Sequence, residues 1–133
     1  MPVVRILVVD DFAEWRLSVR SILQDRPDWQ VIDEAGDGLE AVHKTAELRP
    51  EIVLLDIAMP ILNGIEAAKH ILRASSHTRI SFVTQDTDND IRTAALATGA
   101  AGYLLKVSAG STLLLAIEAA LRDGHYSPTA SEQ

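Results

Sequence analysis

Short β-branched runs alternate along the chain with longer stretches in which apolar residues return at helical spacing. The runs are Val3 to Val9, Val31 to Asp33, Ile52 to Leu55, Ile80 to Thr84 and Gly102 to Leu105. The third and fourth are nearly all apolar, which suits strands buried on both faces of a parallel sheet. Between the runs, Phe12, Trp15, Val19, Ile22 and Leu23 form one helical stripe, Leu39, Val42 and Ala46 a second, and Ile65, Ala68, Ile71 and Leu72 a third. An alanine-rich segment around Ile91, Ala94 and Ala95 predicts a weaker fourth helix, and Leu114, Ile117 and Leu121 a firmer fifth. Five strands alternating with five helices imply right-handed crossovers and a three-layer α/β/α sandwich.

Helix-start signals agree with this reading. Asp37 followed by Glu40, and Asn63 followed by Glu66, have the spacing of a capping box. Asn63-Gly64 reads as a turn before a helix. Gly124 is suited to close the last helix, and Pro128 forbids its continuation. The expected organisation is one domain over residues 1–124, with 125–133 a tail or the first stub of a linker. There is no internal repeat.

Composition narrows the chemistry. At 133 residues, 47% hydrophobic and 23% charged, the chain fits a single globular domain. It has no cysteine, so disulfides, thiolate metal sites and thiol nucleophiles are excluded. A formal charge of −7 has the wrong sign for a domain that neutralises nucleic-acid phosphates. The first apolar run is broken by Arg5 and stops at two aspartates, too short for a membrane span and unlike a signal peptide. No membrane association, no direct nucleic-acid contact and a cytoplasmic location are therefore expected.

In an open parallel sheet the functional crevice lies at the carboxyl ends of the strands. Those ends carry Asp10 and Asp11, Asp56, Thr84 and Lys106, every one of them polar. Neighbouring carboxylates repel by about 4 kcal/mol per pair at about 4 Å and an effective dielectric near 20, so their crowding calls for a cation. Hard oxygen ligands favour Mg²⁺, which takes one or two carboxylates and leaves positions for a phosphate oxygen. With Asp56 as an in-line nucleophile, and Lys106 and Thr84 to hold the oxygens, the set suits phosphoryl transfer. Singly, each residue has an ordinary alternative: a helix cap for a strand-end aspartate, a strand residue for Thr84, a surface charge for Lys106.

The joint pattern resembles the response regulator receiver domain of two-component signalling, over essentially the whole chain to about Gly124. The matching elements are ILVVDD at 6–11, IVLLDIAMPILNG at 52–64, FVT at 82–84 and GAAGYLLK at 99–106. The resemblance implies a flavodoxin-like, doubly wound sheet of order 2-1-3-4-5. It implies Asp10 and Asp11 as metal-site acids, Asp56 as phosphoacceptor and Mg²⁺ ligand, and Ala58 as donor of a backbone carbonyl to the metal. Thr84 and Lys106 would bind phosphoryl oxygens. Tyr103 falls at the family's switch aromatic; the plainer reading is half-buried packing with its hydroxyl reaching water. The implied partner is a sensor histidine kinase or phosphotransfer protein.

The last third, GAAGYLLK followed by VSAGSTLLLAIEAALRDGHYSP, most resembles receivers of the NarL/FixJ type, which precede a helix-turn-helix output domain. That C-terminal DNA-binding domain is not in this chain, and homodimerisation is the alternative output. Departures from the commonest pattern are Gln85, bulkier than usual and able to narrow access to Asp56, and Val107, which replaces a frequent proline and puts the usual cis peptide in doubt. Ala58 and Asp86 lie where the family tunes dephosphorylation.

Three competing readings are weaker. An aspartyl-phosphate hydrolase needs a general acid two residues past its nucleophile, and Ala58 offers no proton. A degenerate scaffold tends to lose the acidic set that is intact here. A flavodoxin-like cofactor binder needs a phosphate-cradling first loop, where Asp10-Asp11 would repel phosphate. His43, His70, His77 and His125 are scattered without ligand spacing and read as surface residues. Trp15 reads as core, with Ala13 and Arg16 as exposed neighbours on a kinase-docking surface by resemblance.

Overall fold

The computed structural model describes residues 3–122. Gly124, His125 and Pro128, and with them the predicted helix stop and tail, lie outside the described residues. In chain order the elements are β1 (Val4–Val9), α1 (Ala13–Leu23), β2 (Trp29–Ala35), α2 (Gly38–Leu48), β3 (Ile52–Leu55), α3 (Gly64–Ala74), β4 (Arg79–Thr84), α4 (Asn89–Leu96), β5 (Gly102–Leu105) and α5 (Ala109–Arg122). A single 3₁₀ turn, Lys106–Ser108, joins β5 to α5. The sheet is parallel throughout, in the order β2-β1-β3-β4-β5, as the resemblance implies.

The strands alternate between two cores. Ile6, Val8, Ile52, Leu54, Val83 and Leu104 face α1 and α5, which contribute Val19, Leu23, Leu113 and Ile117. Leu7, Val9, Val53, Leu55, Ile80 and Phe82 face the other way, toward Ala41 of α2, Ala68 and Ile71 of α3 and Ala95 of α4. Each fully buried aliphatic side chain stabilises the fold by roughly 1.5–3 kcal/mol, so the central strands hold the molecule together. Among the described residues no helix is long and apolar enough to cross a membrane.

Two elements depart from the sequence pattern. β2 is seven residues long rather than three. It is an edge strand that carries Gln30, Asp33 and Glu34, and a register shift opposite Ile6 and Leu7 breaks its alternation. In α2 the buried face is Ala41 and Thr45, while Leu39 and Ala46 are exposed. Phe12 is likewise 57% exposed and precedes α1 without a capping bond. Ala94 is exposed too, while Ala95 is buried and Ile91 and Leu96 pack beside it against the core.

Both predicted N-caps form, since Asp37 accepts from the Glu40 N–H and Asn63 from the Glu66 N–H. Neither box closes reciprocally. Glu40 accepts instead from the Gly36 N–H, and Glu66 pairs with Lys69.

Candidate functional site

Strand register brings the site together. Val9 pairs with Leu55 and Leu55 with Phe82, so Asp10 and Asp56 emerge side by side at the carboxyl edge, with Thr84 two residues past Phe82. One carboxylate oxygen from each of Asp10, Asp11 and Asp56 lies within 4.8 Å of the others. Asp10 and Asp56 are buried and Asp11 is exposed. Lys106, from the turn after β5, places its ammonium 2.7 Å from Asp10 Oδ2 and 3.3 Å from Asp56 Oδ2.

Each buried carboxylate has its Oδ1 held by a backbone N–H and its Oδ2 beside the Lys106 ammonium. The Phe12 N–H donates to Asp10 Oδ1 at 2.9 Å, and the Ile57 N–H to Asp56 Oδ1 at 2.7 Å. Asp10 Oδ2 has the ammonium as a counter-charge, but no donor is aligned on it as a hydrogen bond. A buried, unsatisfied carboxylate oxygen amid three acids is the kind of atom a hard cation satisfies. The donor set of three carboxylates, in a cleft that Ala58 also lines, therefore fits Mg²⁺. It does not fit a soft metal, which prefers sulfur or imidazole.

Electrostatics follow from burial and charge. Burial acts most strongly on Asp10 and raises its carboxyl above the ordinary 3.8; the close Lys106 ammonium and the Phe12 N–H pull the other way, and the Asp56 charge adds to the rise. Burial alone would lower Lys106, but its close contact with Asp10 and the charges of Asp56 and Asp10 prevail and hold it above 10.5. Lys106 is thus a full cation near neutral pH. The face of Trp15, 5.3 Å away, adds a cation–π contact and fixes the lysine's approach.

Ala58, Thr84, Gln85, Asp86 and Thr87 complete a cleft of about 640 Å³ around the acids and Lys106. Gln85 is exposed in the cleft wall. Thr84 is buried, and its hydroxyl accepts from the Asp86 N–H at 3.2 Å, leaving its own proton to donate. No peptide bond among the described residues is cis, including the one before Val107, which is 90% exposed.

Tyr103 is not half-buried. It is 1% exposed, and its hydroxyl donates to the Asp86 carbonyl at 3.0 Å rather than reaching water. Asp86 therefore grips Thr84 through its N–H and Tyr103 through its carbonyl, an arrangement invisible in sequence. Burial, with the Asp86 charge adding, pushes the phenol from 10.0 up to about 12. A raised phenol stabilises the fold fully below its unfolded value, and that stability, about 2–3 kcal/mol, is lost as pH climbs through this window. Tyr103→Phe should lose about 1 kcal/mol at neutral pH, through the missing hydrogen bond. It should then lose less than the parent as pH rises from 10.0 to about 12. Urea midpoints of the two proteins, compared across that range, are expected to converge and then cross; parallel curves would deny the buried phenol.

Arg16 is not an exposed docking residue. Its Nε donates to Glu34 Oε1 at 2.7 Å and its Nη1 to the Asp10 carbonyl, tying α1 to β2 and to the acidic loop. Ala13 is exposed, as expected, and so are His43, His70 and His77.

The loop carrying Ala58 is held from below. The Gly64 N–H donates to the Ile57 carbonyl at 2.8 Å, and the Gly38 N–H to the Leu62 carbonyl at 3.0 Å. Between them the Leu62 N–H closes on the Pro60 carbonyl at 2.7 Å, a γ-turn whose apex, Ile61, has φ +71°. A β-branched residue there is strained and is tolerated only where the surroundings impose it.

A doubly wound parallel sheet that gathers three acids and a lysine at its carboxyl edge defines an α/β domain whose acidic cluster is compatible with a divalent cation. The chain belongs to the response regulator receiver domain family, which it matches over residues 6–118. It is 38% identical over 117 residues to the transcriptional regulatory protein LiaR of Bacillus subtilis (strain 168), covering 88% of this chain and 56% of LiaR. It is 43% identical over 106 residues to the protein-glutamate methylesterase/protein-glutamine glutaminase of Thermotoga maritima, covering 78% of this chain and 30% of that protein. Among solved structures, a two-component response regulator of the LuxR family from Aurantimonas sp. SI85-9A1 is 34% identical with a TM-score of 0.89, covering 97% of this chain and 91% of that one. The chain thus spans only a part of the length of its curated relatives, and their whole-protein activities belong to them.

Proposed function

We propose that this receiver domain accepts a phosphoryl group on Asp56, with Mg²⁺ held by Asp10, Asp11, Asp56 and the Ala58 carbonyl. The observation that carries the reading is Lys106, whose ammonium stands 2.7 Å from Asp10 and 3.3 Å from Asp56, the two buried acids of one cluster. Bound in this cluster, Mg²⁺ would neutralise charge on the phosphoryl oxygens and bring them to the acids. The Asp56 carboxylate attacks phosphorus in line, the bond to the donor breaks, and an acyl phosphate remains on Asp56. Lys106 pairs with one phosphoryl oxygen, and the Thr84 hydroxyl donates to another.

The switch follows from the grip of Asp86. Donation by Thr84 to the phosphate draws its oxygen from the Asp86 N–H, and the Asp86 carbonyl carries that movement to Tyr103. Phosphate can bias this element only as far as its contacts differ between the two states. The domain is a signalling module rather than an enzyme acting on a separate substrate, with residues 1–124 as the unit. Its donor is a sensor histidine kinase or phosphotransfer protein in the cytoplasm. The regulatory relatives favour a C-terminal DNA-binding output following residues 125–133, with homodimerisation as the other route.

Intact mass after incubation with acetyl phosphate and Mg²⁺ tests the reading. One phosphoryl adduct is expected with the metal and none once EDTA removes it. An adduct that persists in EDTA would overturn the acidic cluster as the metal site, and no adduct with Mg²⁺ would overturn the phosphoacceptor role.

A further inference from the structure

Of the three acids at the carboxyl edge, Asp11 alone has nothing to aim its side chain. It is exposed, and among the described residues its carboxylate accepts no hydrogen bond and pairs with no cation. Asp10 and Asp56 each have an N–H on one oxygen and Lys106 beside the other. Where the Asp11 carboxylate can reach is therefore set by its backbone, and first by the peptide that joins it to Asp10. That peptide is planar, so whatever fixes the Asp10 carbonyl oxygen fixes the Asp11 Cα with it.

Arg16, in the first turn of α1, holds that oxygen. Its Nη1 donates to the Asp10 carbonyl while its Nε donates to Glu34 Oε1 at 2.7 Å. The Asp10 N–H donates in turn to the carbonyl of Ala35, the neighbour of Glu34 on β2, at 3.0 Å. Asp10 is thus clamped on both sides of its Cα: β2 takes its N–H directly and, through Glu34 and Arg16, its carbonyl. Glu34 is braced from a second direction by Arg20 Nε on Oε2. The hydrogen bond from Arg20, with that from Arg16 behind it, outweighs burial and keeps the Glu34 carboxyl below its ordinary 4.5.

Two plainer roles are available to Arg16: a strap between α1 and β2, and a positive charge that eases the crowding of the acids. Geometry disfavours the second, since among the described residues its ion pair is with Glu34 and not with Asp10, Asp11 or Asp56. The first is shared by Arg20, which also joins α1 to Glu34 but makes no hydrogen bond to Asp10. We infer that Arg16 is a positioning residue for the metal acids: oriented by Glu34, it fixes the peptide between Asp10 and Asp11 so that the Asp11 carboxylate reaches the cation. The inference rests on the reading of the acidic cluster as a Mg²⁺ site.

Charge alone predicts the opposite sign from positioning. Removing a cation near the cluster lessens repulsion of Mg²⁺ and should tighten binding, for Arg16 and Arg20 alike. Loss of an outer-shell partner weakens metal binding instead, by about 10–100-fold.

Mg²⁺ titrations of the whole chain, followed by the amide chemical shifts of Asp10, Asp11 and Asp56, test the assignment with no phosphoryl donor present. Arg16→Met has no donor and should weaken Mg²⁺ about tenfold. Arg20→Met removes the same charge from the same helix and a bond to the same Glu34. It should leave the dissociation constant within about twofold of the parent, because salt screens a charge that far into solvent. Methionine keeps the apolar stem of either arginine in place, and the dispersion of the metal-free spectra checks that both variants fold. Those spectra give a second readout, since the Asp11 amide should move in Arg16→Met and stay in Arg20→Met. Weakening confined to Arg16→Met, with that displacement, establishes the positioning role. Mg²⁺ binding by Arg16→Met as tight as the parent's, or tighter, would overturn it. Equal weakening by both variants would also overturn it, reducing Arg16 to a strap. A parent that bound no Mg²⁺ would overturn the metal site and this inference with it, so the parent's own titration tells the two failures apart.

Discussion

Asp56→Asn is expected to eliminate the phosphoryl adduct completely while leaving the metal-free fold within about 1 kcal/mol of the parent. The amide has no carboxylate to attack phosphorus, so the chemistry stops whatever else survives. Its oxygen can still accept from the Ile57 N–H, the 2.7 Å bond that holds Asp56 Oδ1. The lost charge removes one attraction, to Lys106 at 3.3 Å, and two repulsions, from Asp10 and Asp11. These oppose one another, and Lys106 keeps its closer partner Asp10 at 2.7 Å. Mg²⁺ should separate the two proteins. A ligand at ten times its dissociation constant stabilises by about 1.4 kcal/mol, and the variant, short of one carboxylate, should gain much less. Thermal melts with and without Mg²⁺, beside intact mass, check both halves. An adduct on the variant would move the acceptor to another residue, and an equal Mg²⁺ response would remove Asp56 from the metal site.

The strong parts of this site were readable because parallel topology does the assembling. Once β1, β3 and β5 are recognised as buried strands, whatever follows them meets at one edge, and Asp10, Asp56 and Lys106 are what follow. Periodicity failed where residue type and environment disagree. In α2 an apolar Ala46 faces solvent and a polar Thr45 faces the core, so a pattern built on polarity assigns the wrong face. In β2 the edge position admits charges that conceal a seven-residue strand. Side-chain to backbone links between distant segments, such as the Tyr103 hydroxyl on the Asp86 carbonyl, have no sequence period to betray them. Arg16 looked exposed for the same reason, since its partners Glu34 and Asp10 lie outside its own helix.

Gly64 was legible only as half of a turn, and the structure assigns it a larger effect. Its φ is not in the left-handed region, so conformational freedom is not the requirement. The requirement is space. A Cβ at position 64 would lie 1.9 Å from the Asp56 carbonyl oxygen, 2.8 Å from its carbonyl carbon and 2.9 Å from the Ile57 Cα, all of them backbone. Neither side can rotate away, so Gly64→Ala must lever the start of α3 off the end of β3 and stretch the 2.8 Å bond to the Ile57 carbonyl. Overpacking of this kind costs about 1–3 kcal/mol, and with only backbone to yield about 3 kcal/mol or more is expected. A chain of this size should then melt about 10 °C lower. The displaced segment carries Asp56 and Ala58, and a shift of about 1 Å in a catalytic position can cost about a hundredfold, so adduct formation should slow by a similar factor in whatever protein remains folded. Gly110→Ala supplies the contrast, because a Cβ there meets nothing within 4 Å and the residue lies in α5. The same methyl should stabilise that helix by about 0.5 kcal/mol. Urea midpoints that moved in opposite directions for the two variants would establish that Gly64 is held by close approach to the phosphoacceptor's own backbone; equal midpoints would refute it.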